Sequence, residues 1–424
     1  MRVAVHTLGC KLNYAESSTI AREFALRGYE VVPSTSEADI YVVNTCSVTE
    51  HSDKKGRNLI RRLHRRSPRA LIAVVGCYAQ LKGNEIAALD GVDIVLGARS
   101  KGLVVDEVER LLASGGHAAA PQKVDICPID DVNNIFPAYS TGERTRSFLK
   151  IQDGCDYKCS YCTVPYARGG SRSLPSALLL EQAREIAASG IVEVVLTGVN
   201  TGDFGRKTGE SFLELLRGLN AVEGIMRYRI SSIEPNLLTP EIVEWIASGT
   251  KFLPHFHIPL QSGCDRILAR MGRRYRTADF RSKIELIRRR MDHVFFGIDV
   301  IVGFPGETEE DFRCTCDFLE EIHPAYIHVF PYSRRAGTPA AVMPDQVPEY
   351  VKTARVQVLE EMCARLYSDF CRQNAGREEE VLFESTSRHG MMVGYTRNYI
   401  KVERPYDKSL IGKVVKVVLP QPLS

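Results

Sequence analysis

The first hundred or so residues alternate short, continuous apolar runs with stretches of helical period. RVAVHTLG, DIYVVNT and ALIAVVG are apolar on both faces and bounded by glycine or polar turns, as buried parallel strands are. Between them lie a helix-like stretch from Glu16 to Arg27 and another from Asp53 to Arg66. This βαβ alternation predicts an α/β domain with an open parallel sheet over residues 1–125. The small residues from Ala113 to Gln122, and then Asp125 to Tyr139, hold neither period. They read as connecting chain, with a linker at 126–143.

From Arg144 the alternation resumes on a larger scale. SFLKIQ, VEVVLTG, RYRISS, PHFHIPL, HVFFGIDVIVG and AYIHVFPY predict six strands. Helical patterns follow most of them, at Pro175–Ser189, Ser211–Leu219, Pro240–Ala247, Thr277–Arg289 and Glu309–Glu321. Six such units imply a curved, partial (β/α)6 barrel over 144–375, with its site at the carboxyl ends of the strands. A long helix at about Pro348 to Asn374 closes this part. EEEVLFES, HGMMVGYTRN, YIKVERP and IGKVVKVVLP then alternate without helices. They predict a small antiparallel β-barrel over 376–424, of oligonucleotide-binding size.

Composition narrows the class. Of 424 residues, 44% are hydrophobic and 25% charged, ordinary for a soluble globular chain of two or three domains. No apolar stretch of about 18 residues is present to span a membrane, and the first residues lack a signal-peptide pattern. A cytoplasmic protein is expected, and a monomer, since no coiled-coil repeat occurs. The net charge of +3 is uninformative, but its distribution is not. Lys54, Lys55, Arg57, Arg61, Arg62, Arg65, Arg66 and Arg69 form a block without an acid, which suits phosphate binding or a solvated helix face. A second basic stretch, Arg266 to Arg290, is interleaved with acids.

Twelve cysteines are many for a compartment that disfavours disulfides. Cys155, Cys159 and Cys162 stand in QDGCDYKCSYCTVPYARG, spaced C-x3-C-x2-C, just after a predicted strand. Three thiolates on a four-iron cluster leave one iron open. That iron can chelate S-adenosylmethionine, whose reductive cleavage yields a deoxyadenosyl radical. Structural zinc usually takes four ligands, and no fourth Cys or His lies nearby.

Cys10, Cys46 and Cys77 are far apart in sequence, yet each follows one of the three parallel strands. Strand ends of an open sheet face one crevice, so the three converge. They suit a second cluster, or a catalytic thiol with two bystanders. Cys127, Cys264, Cys314, Cys316, Cys363 and Cys371 lack such a pattern and read as structural.

The barrel strands end in polar or glycine residues: Thr197, Gly198 and Asn200; Ser231, Ser232 and Glu234; His257, Gln261 and Ser262; Asp299, Gly303 and Gly306. Four such loops in register on one rim outline a ligand site.

LGCKLN, NTCSVT, GCYAQ, the C-x3-C-x2-C loop, HIPLQSGCDRILARMGRRYR, DVIVGFPGETEEDF and FPYSRRAGTPA together resemble the radical S-adenosylmethionine methylthiotransferases over essentially the whole chain. The last segment looks like that family's TRAM domain. The resemblance implies two [4Fe–4S] clusters, held by Cys10, Cys46 and Cys77 and by Cys155, Cys159 and Cys162, the second of them catalytic. It implies S-adenosylmethionine as cofactor, with Asn200, Glu234, Gln261 and Arg274 in its pocket. It implies sulfur and methyl transfer to an unactivated carbon, and a flavodoxin- or ferredoxin-like electron donor. Three substrate classes occur in the family: threonylcarbamoyladenosine at tRNA position 37, isopentenyladenosine at the same position, and an aspartate of a ribosomal protein. HTLGCKLN with GCYAQ looks most like the first, for which the partner is the tRNA anticodon stem-loop.

Overall fold

The computed structural model describes residues 1–115, 123–142 and 144–420. It begins with β1 (Arg2–Thr7), α1 (Lys11–Leu26), β2 (Glu30–Val31), β3 (Ile40–Thr45), α2 (Glu50–Arg66), β4 (Leu71–Gly76), α3 (Cys77–Ala87), β5 (Ile94–Leu96), α4 (Val104–Ala113) and β6 (Lys123–Asp125). The strands form one all-parallel sheet in the order β2-β1-β3-β4-β5-β6. Every residue of β3 and β4 is buried, because helices cover both faces of a parallel sheet.

The second unit contains β7 (Arg146–Lys150), β8 (Gln152–Asp153), α5 (Val164–Arg168), β9 (Arg172–Ser173), α6 (Ser176–Ala188), β10 (Glu193–Thr197), α7 (Phe212–Asn220), β11 (Arg227–Ile230), α8 (Pro240–Ala247), β12 (His255–Gln261), α9 (Asp265–Met271), α10 (Thr277–Arg290), β13 (Phe295–Val302), α11 (Glu309–Ile322), β14 (Tyr326–Pro331) and α12 (Glu349–Asn374). Two parallel half-sheets, β11-β10-β7 and β12-β13-β14, make up its wall. They meet through the bridge of Tyr228 to Phe252, whose rings stack at 5.0 Å. Among the described residues β7 and β14 do not pair with each other, so the barrel is open on that side. Tyr14 of α1 packs edge-on against Phe148 of β7, centroids 5.6 Å apart.

The chain ends in β15 (Glu378–Arg388), β16 (Met391–Thr396), β17 (Lys401–Pro405) and β18 (Val414–Val418), a four-stranded antiparallel sheet ordered β17-β16-β15-β18. Its own small core includes Val381, Phe383, Met392, Ile400 and Val402. Three arginines at the amino-terminal ends of the barrel strands hold it in place. Arg227 donates to the carbonyls of Glu380 and Tyr395, and Arg229 to those of Thr396 and Arg397. Arg146 pairs with Glu384 at 2.7 Å. Glu193, fully buried, lies within 3.6 Å of all three guanidiniums.

All six predicted barrel strands and the four terminal ones are present. Elsewhere the structure departs from expectation. Helix α1 begins at Lys11, not Glu16, because its polar first turns are buried: Asn13 donates to the carbonyls of Leu8 and Thr45. The span expected as connecting chain, 113–122 and 125–139, brackets β6, a short polar strand parallel to β5 that pattern could not distinguish from a loop. Residues 116–122 of that span lie outside the described residues. The stretch 126–142 is fastened down rather than loose. Gln80 donates to the carbonyl of Cys127, and Tyr139 bridges to Leu149. The β8–β9 hairpin and α9 were not expected. No helix among the described residues is long and apolar enough to cross a membrane.

Candidate functional site

The loop bearing Cys155, Cys159 and Cys162 follows β8 and turns at Gly154, whose φ is +73°. A Cβ there would lie 2.1 Å from the carbonyl oxygen of Gly170, so only glycine lets the loop press against that backbone. The Cys155 amide donates to the Gly169 carbonyl at 3.0 Å, and the Ser160 amide to that of Met271 at 2.9 Å. Each sulfur faces a donor. The Tyr157 amide lies 3.4 Å from Cys155 Sγ, the Val164 amide 3.4 Å from Cys162 Sγ, and Arg273 Nη1 3.1 Å from Cys159 Sγ. Burial pushes the Cys155 and Cys162 thiols up to about 12. Three sulfurs, Cys159 buried and Cys155 and Cys162 half-buried, each met by an N–H group, form a donor set suited to thiolates neutralised by bound iron.

Cys10 caps the amino end of α1, Cys46 follows β3, and Cys77 opens α3 after β4, as the strand-end reading placed them. Their loops touch: a Cβ on Gly9, at φ +104°, would lie 2.6 Å from Cys46 Cβ. Cys10 is exposed and Cys46 buried. Burial, with Cys77 and Cys10 nearby, pushes the Cys46 thiol up to about 11. Among the described residues, His257, Asp299 and His328 are the one such trio whose donor atoms all lie within 4.8 Å of one another. The sulfurs of each cysteine triad are spread more widely. A single tetrahedral ion, with Zn–S of about 2.3 Å, would draw thiolates to roughly 3.8 Å apart.

A buried charge network joins the two triads. Glu16 Oε1 accepts from Lys101 and from Lys150, each at 2.6 Å. Asp153 accepts from Lys150 at 2.6 Å and from Arg168 at 2.8 Å. Arg168 also donates to Asn13, beside Cys10. Asp153 precedes the C-x3-C-x2-C loop and Arg168 follows it, while Asn13, Glu16 and Lys101 belong to the first unit. Burial alone would raise the two carboxyls. The three cations outweigh it and hold both below the ordinary carboxylate range. A second link is Arg335, which donates at 2.8 Å both to Ser47, next to Cys46, and to the fully buried Asp53.

On the barrel rim, Asn200 and Glu234 meet: the Glu234 amide donates to Asn200 Oδ1 at 3.4 Å. Asn200 Nδ2 and Ser231 Oγ are buried with no partner among the described residues. Such orphaned groups suit a polar ligand seated there. Gln261 ends β12 at a bulge with φ +69°, a strained conformation for a non-glycine residue. Tyr275 donates to the carbonyls of Pro259 and Leu260 just before it. Arg274 is exposed and lies over the Tyr157 ring, 3.9 Å from its centroid. The arginine brought into the site is its neighbour Arg273, whose buried guanidinium pairs with Glu234 and reaches Cys159. The adjacent pair in MGRRYR carried no signal to separate them. The charged network was also missed, although Lys150 inside the apolar run SFLKIQ was a visible anomaly.

Below the rim, a cavity of about 1000 Å³ lies inside the barrel, lined by residues of all six of its strands. All three units wall it: Lys11 from α1; Phe148, Arg229, His257 and His328 among the barrel residues; Glu384, Tyr395 and Tyr399 from the terminal sheet. His257 Nε2 and Asp299 Oδ1 are hydrogen-bonded at 2.7 Å. Burial drops His328 to about 4, so its ring is neutral.

A parallel half-open barrel with a three-cysteine loop at the carboxyl end of its first strand is the catalytic domain of a radical S-adenosylmethionine enzyme. Residues 149–319 match the Radical SAM superfamily, 372–419 the TRAM domain, and 2–97 the uncharacterized protein family UPF0004. The fold resembles that of the radical S-adenosylmethionine methyltransferase TsrM from Kitasatospora setae, with a TM-score of 0.58 and 15% identity over 92% of this chain and 80% of that one. The threonylcarbamoyladenosine tRNA methylthiotransferase MtaB of Bacillus subtilis is 40% identical over 98% of this chain and 93% of its own length. The tRNA-2-methylthio-N(6)-dimethylallyladenosine synthase of Syntrophus aciditrophicus is 33% identical over 99% and 92%. The chain belongs to the radical S-adenosylmethionine methylthiotransferase family, transferases that use S-adenosylmethionine and [4Fe–4S] clusters.

Proposed function

We propose that this protein is a tRNA methylthiotransferase that modifies C2 of threonylcarbamoyladenosine at position 37, giving 2-methylthio-N6-threonylcarbamoyladenosine. The observation that carries the substrate is the full-length identity of 40% to the threonylcarbamoyladenosine enzyme, against 33% to the dimethylallyladenosine enzyme. Cys155, Cys159 and Cys162 would hold one [4Fe–4S] cluster, and Cys10, Cys46 and Cys77 a second. When bound, the first cluster with S-adenosylmethionine supplies one-electron radical chemistry for activating a C–H bond.

The chain's own residues do the rest. Asn200, Glu234 and Gln261 offer polar contacts on the rim to the amino-acid end of S-adenosylmethionine. Arg273 fixes Glu234 and the Cys159 loop, and Arg274 lies at the outer edge. The buried network of Glu16, Lys101, Lys150, Asp153 and Arg168 sets the distance between the triads. The cavity excludes bulk water from the base, and its tyrosines give the base a stacking surface. The unpaired cations of α2 meet the anticodon-stem phosphates. The division is 1–125, a linker at 126–143, 144–375, and a TRAM-like unit from 376. The protein works in the cytoplasm as a monomer, reduced by a flavodoxin or ferredoxin.

The test is nucleoside mass spectrometry of tRNA with and without the gene. The methylthio nucleoside disappears on deletion, threonylcarbamoyladenosine accumulates, and Cys46→Ala does not restore it. Persistence of the product in a strain without a paralogue overturns the assignment. About eight irons per chain would accompany two four-iron clusters.

A further inference from the structure

The cavity beneath the rim carries five cations on its wall, Lys11, Arg144, Arg146, Arg229 and Lys401, and one acid, Glu384. Arg146 and Arg229 already have partners in Glu193 and Glu384. Arg144 lies over the Tyr14 ring, 4.2 Å from its centroid. Lys401 pairs with Glu403. Lys11 is different. It projects from the first turn of α1 into the cavity, reachable by water yet surrounded by protein, and no acid among the described residues lies within salt-bridge distance of it. The first turn of α1 has no acid, and its cap, Cys10, makes no side-chain cap bond. The helix dipole therefore adds to the positive field there.

An ammonium set among other cations, with no acid in salt-bridge reach, feels their repulsion, and a ligand anion relieves it. The His257, Asp299 and His328 trio offers donor atoms for a cation, and Asp299 is the acid whose field reaches Lys11, but the five cations of the wall outnumber it and Glu384 and repel one. An anion fits. The aromatic wall, with Tyr395 and Tyr399 stacked at 4.8 Å, suits a flat base attached to that anion.

We propose that Lys11 is the specificity residue of this cavity, pairing with the threonyl carboxylate of threonylcarbamoyladenosine. The inference rests on the substrate reading above and deepens it. Isopentenyladenosine has no anion to offer, so the lysine would remain unpaired and that base would be disfavoured. Lys11 is bonded directly to Cys10 along the chain, so an anion held there brings the modified base to the triad of Cys10, Cys46 and Cys77.

The test is equilibrium binding of fluorescent anticodon stem-loops to anaerobically reconstituted holoenzyme. One stem-loop carries threonylcarbamoyladenosine and another its threonyl methyl ester, which is uncharged. A charge-assisted bond of this kind corresponds to roughly a 10- to 100-fold difference in Kd. The wild-type protein prefers the acid by that factor, Lys11→Met binds acid and ester alike, and Lys11→Arg restores part of the preference. Equal wild-type affinity for acid and ester overturns the proposal without any variant. Undiminished preference in Lys11→Met assigns the carboxylate to another residue and also overturns it. If the wild-type protein methylthiolates neither stem-loop, the substrate reading itself has failed. Turnover of both with no preference for the acid defeats only the role of Lys11.

Discussion

Glu16 and Lys150 lie 134 positions apart, and their carboxylate oxygen and ammonium meet at 2.6 Å with no water access to either side chain. The pair ties the first helix of one unit to the first barrel strand of another. Removing one member of a buried ion pair typically costs about 3–5 kcal/mol, because the remaining charge stays buried. Glu16→Gln leaves Lys101, Lys150 and Arg168 facing Asp153 alone. We expect a stability loss of that size in anaerobic urea unfolding. A loss below about 1 kcal/mol would show that the network is not a structural tie.

The same network sets a pH dependence. Glu16 and Asp153 both titrate below their unfolded values, after burial is outweighed by the cations. Their contribution to stability is complete above the unfolded carboxylate range of about 4. It is lost as pH falls from there through the depressed folded values. Between pH 7 and pH 5 these two groups leave stability unchanged, and below about 4 it declines steeply. A thermal midpoint that already falls between pH 7 and pH 5 equally in wild type and Glu16→Gln would point to other groups.

The two basic helices should behave differently. On α2, Lys54, Lys55, Arg61, Arg62 and Arg65 are exposed, with no acid paired to them among the described residues. On α10, Arg281 pairs with Glu321, Arg289 with Glu285 and Arg290 with Glu244. Replacing Arg61, Arg62 and Arg65 by Gln should weaken tRNA binding and lower its salt dependence, by about 0.9 in log–log slope for each duplex phosphate no longer neutralised. The same change at Arg281, Arg289 and Arg290 should leave the slope unaltered. Equal effects from both helices would remove α2 from the tRNA interface.

Arg273 and Arg274 are neighbours with unequal tasks. Arg273→Gln removes the partner of Glu234 and the donor to Cys159, so iron held at the central triad should fall, with its low-temperature EPR signal altered. Arg274→Gln gives up mainly a ring contact on the surface and should keep its iron. Normal iron and spectrum in Arg273→Gln would restrict that residue to packing.

Gln261 offers a test of stored strain. A left-handed conformation costs a non-glycine residue on the order of 1 kcal/mol, and glycine adopts it freely. Gln261→Gly should be about as stable as wild type or slightly more so, yet bind S-adenosylmethionine less well in isothermal titration. Unchanged affinity would mean that only the backbone bulge matters there.

The sequence announced the sheets more clearly than the site. Strands such as DIYVVNT and ALIAVVG are apolar along their whole length because helices cover both faces, and that pattern is local. The cysteines were legible because each stands at a strand end. The polar start of α1 misled, since Glu16 is paired only with residues far along the chain and Asn13 relies on Thr45 and Arg168 as well as its neighbour Leu8. Arg273 was hidden for the same reason: adjacent arginines look alike until the fold turns one inward. Lys11 is inconspicuous in the sequence, because an unpaired charge is defined by what surrounds it.

The arginines that clasp the terminal sheet have a further consequence. Arg227, Arg229 and Arg146 do more than fasten a module to its neighbour; they hold the terminal sheet across the amino-terminal end of the barrel. Tyr395 and Tyr399 are therefore chamber wall as well as RNA-module surface. Cutting the chain after the long helix would turn a sheltered vessel into a trough. Reactive carbon species formed inside it would then meet solvent before substrate, so the terminal sheet acts as containment.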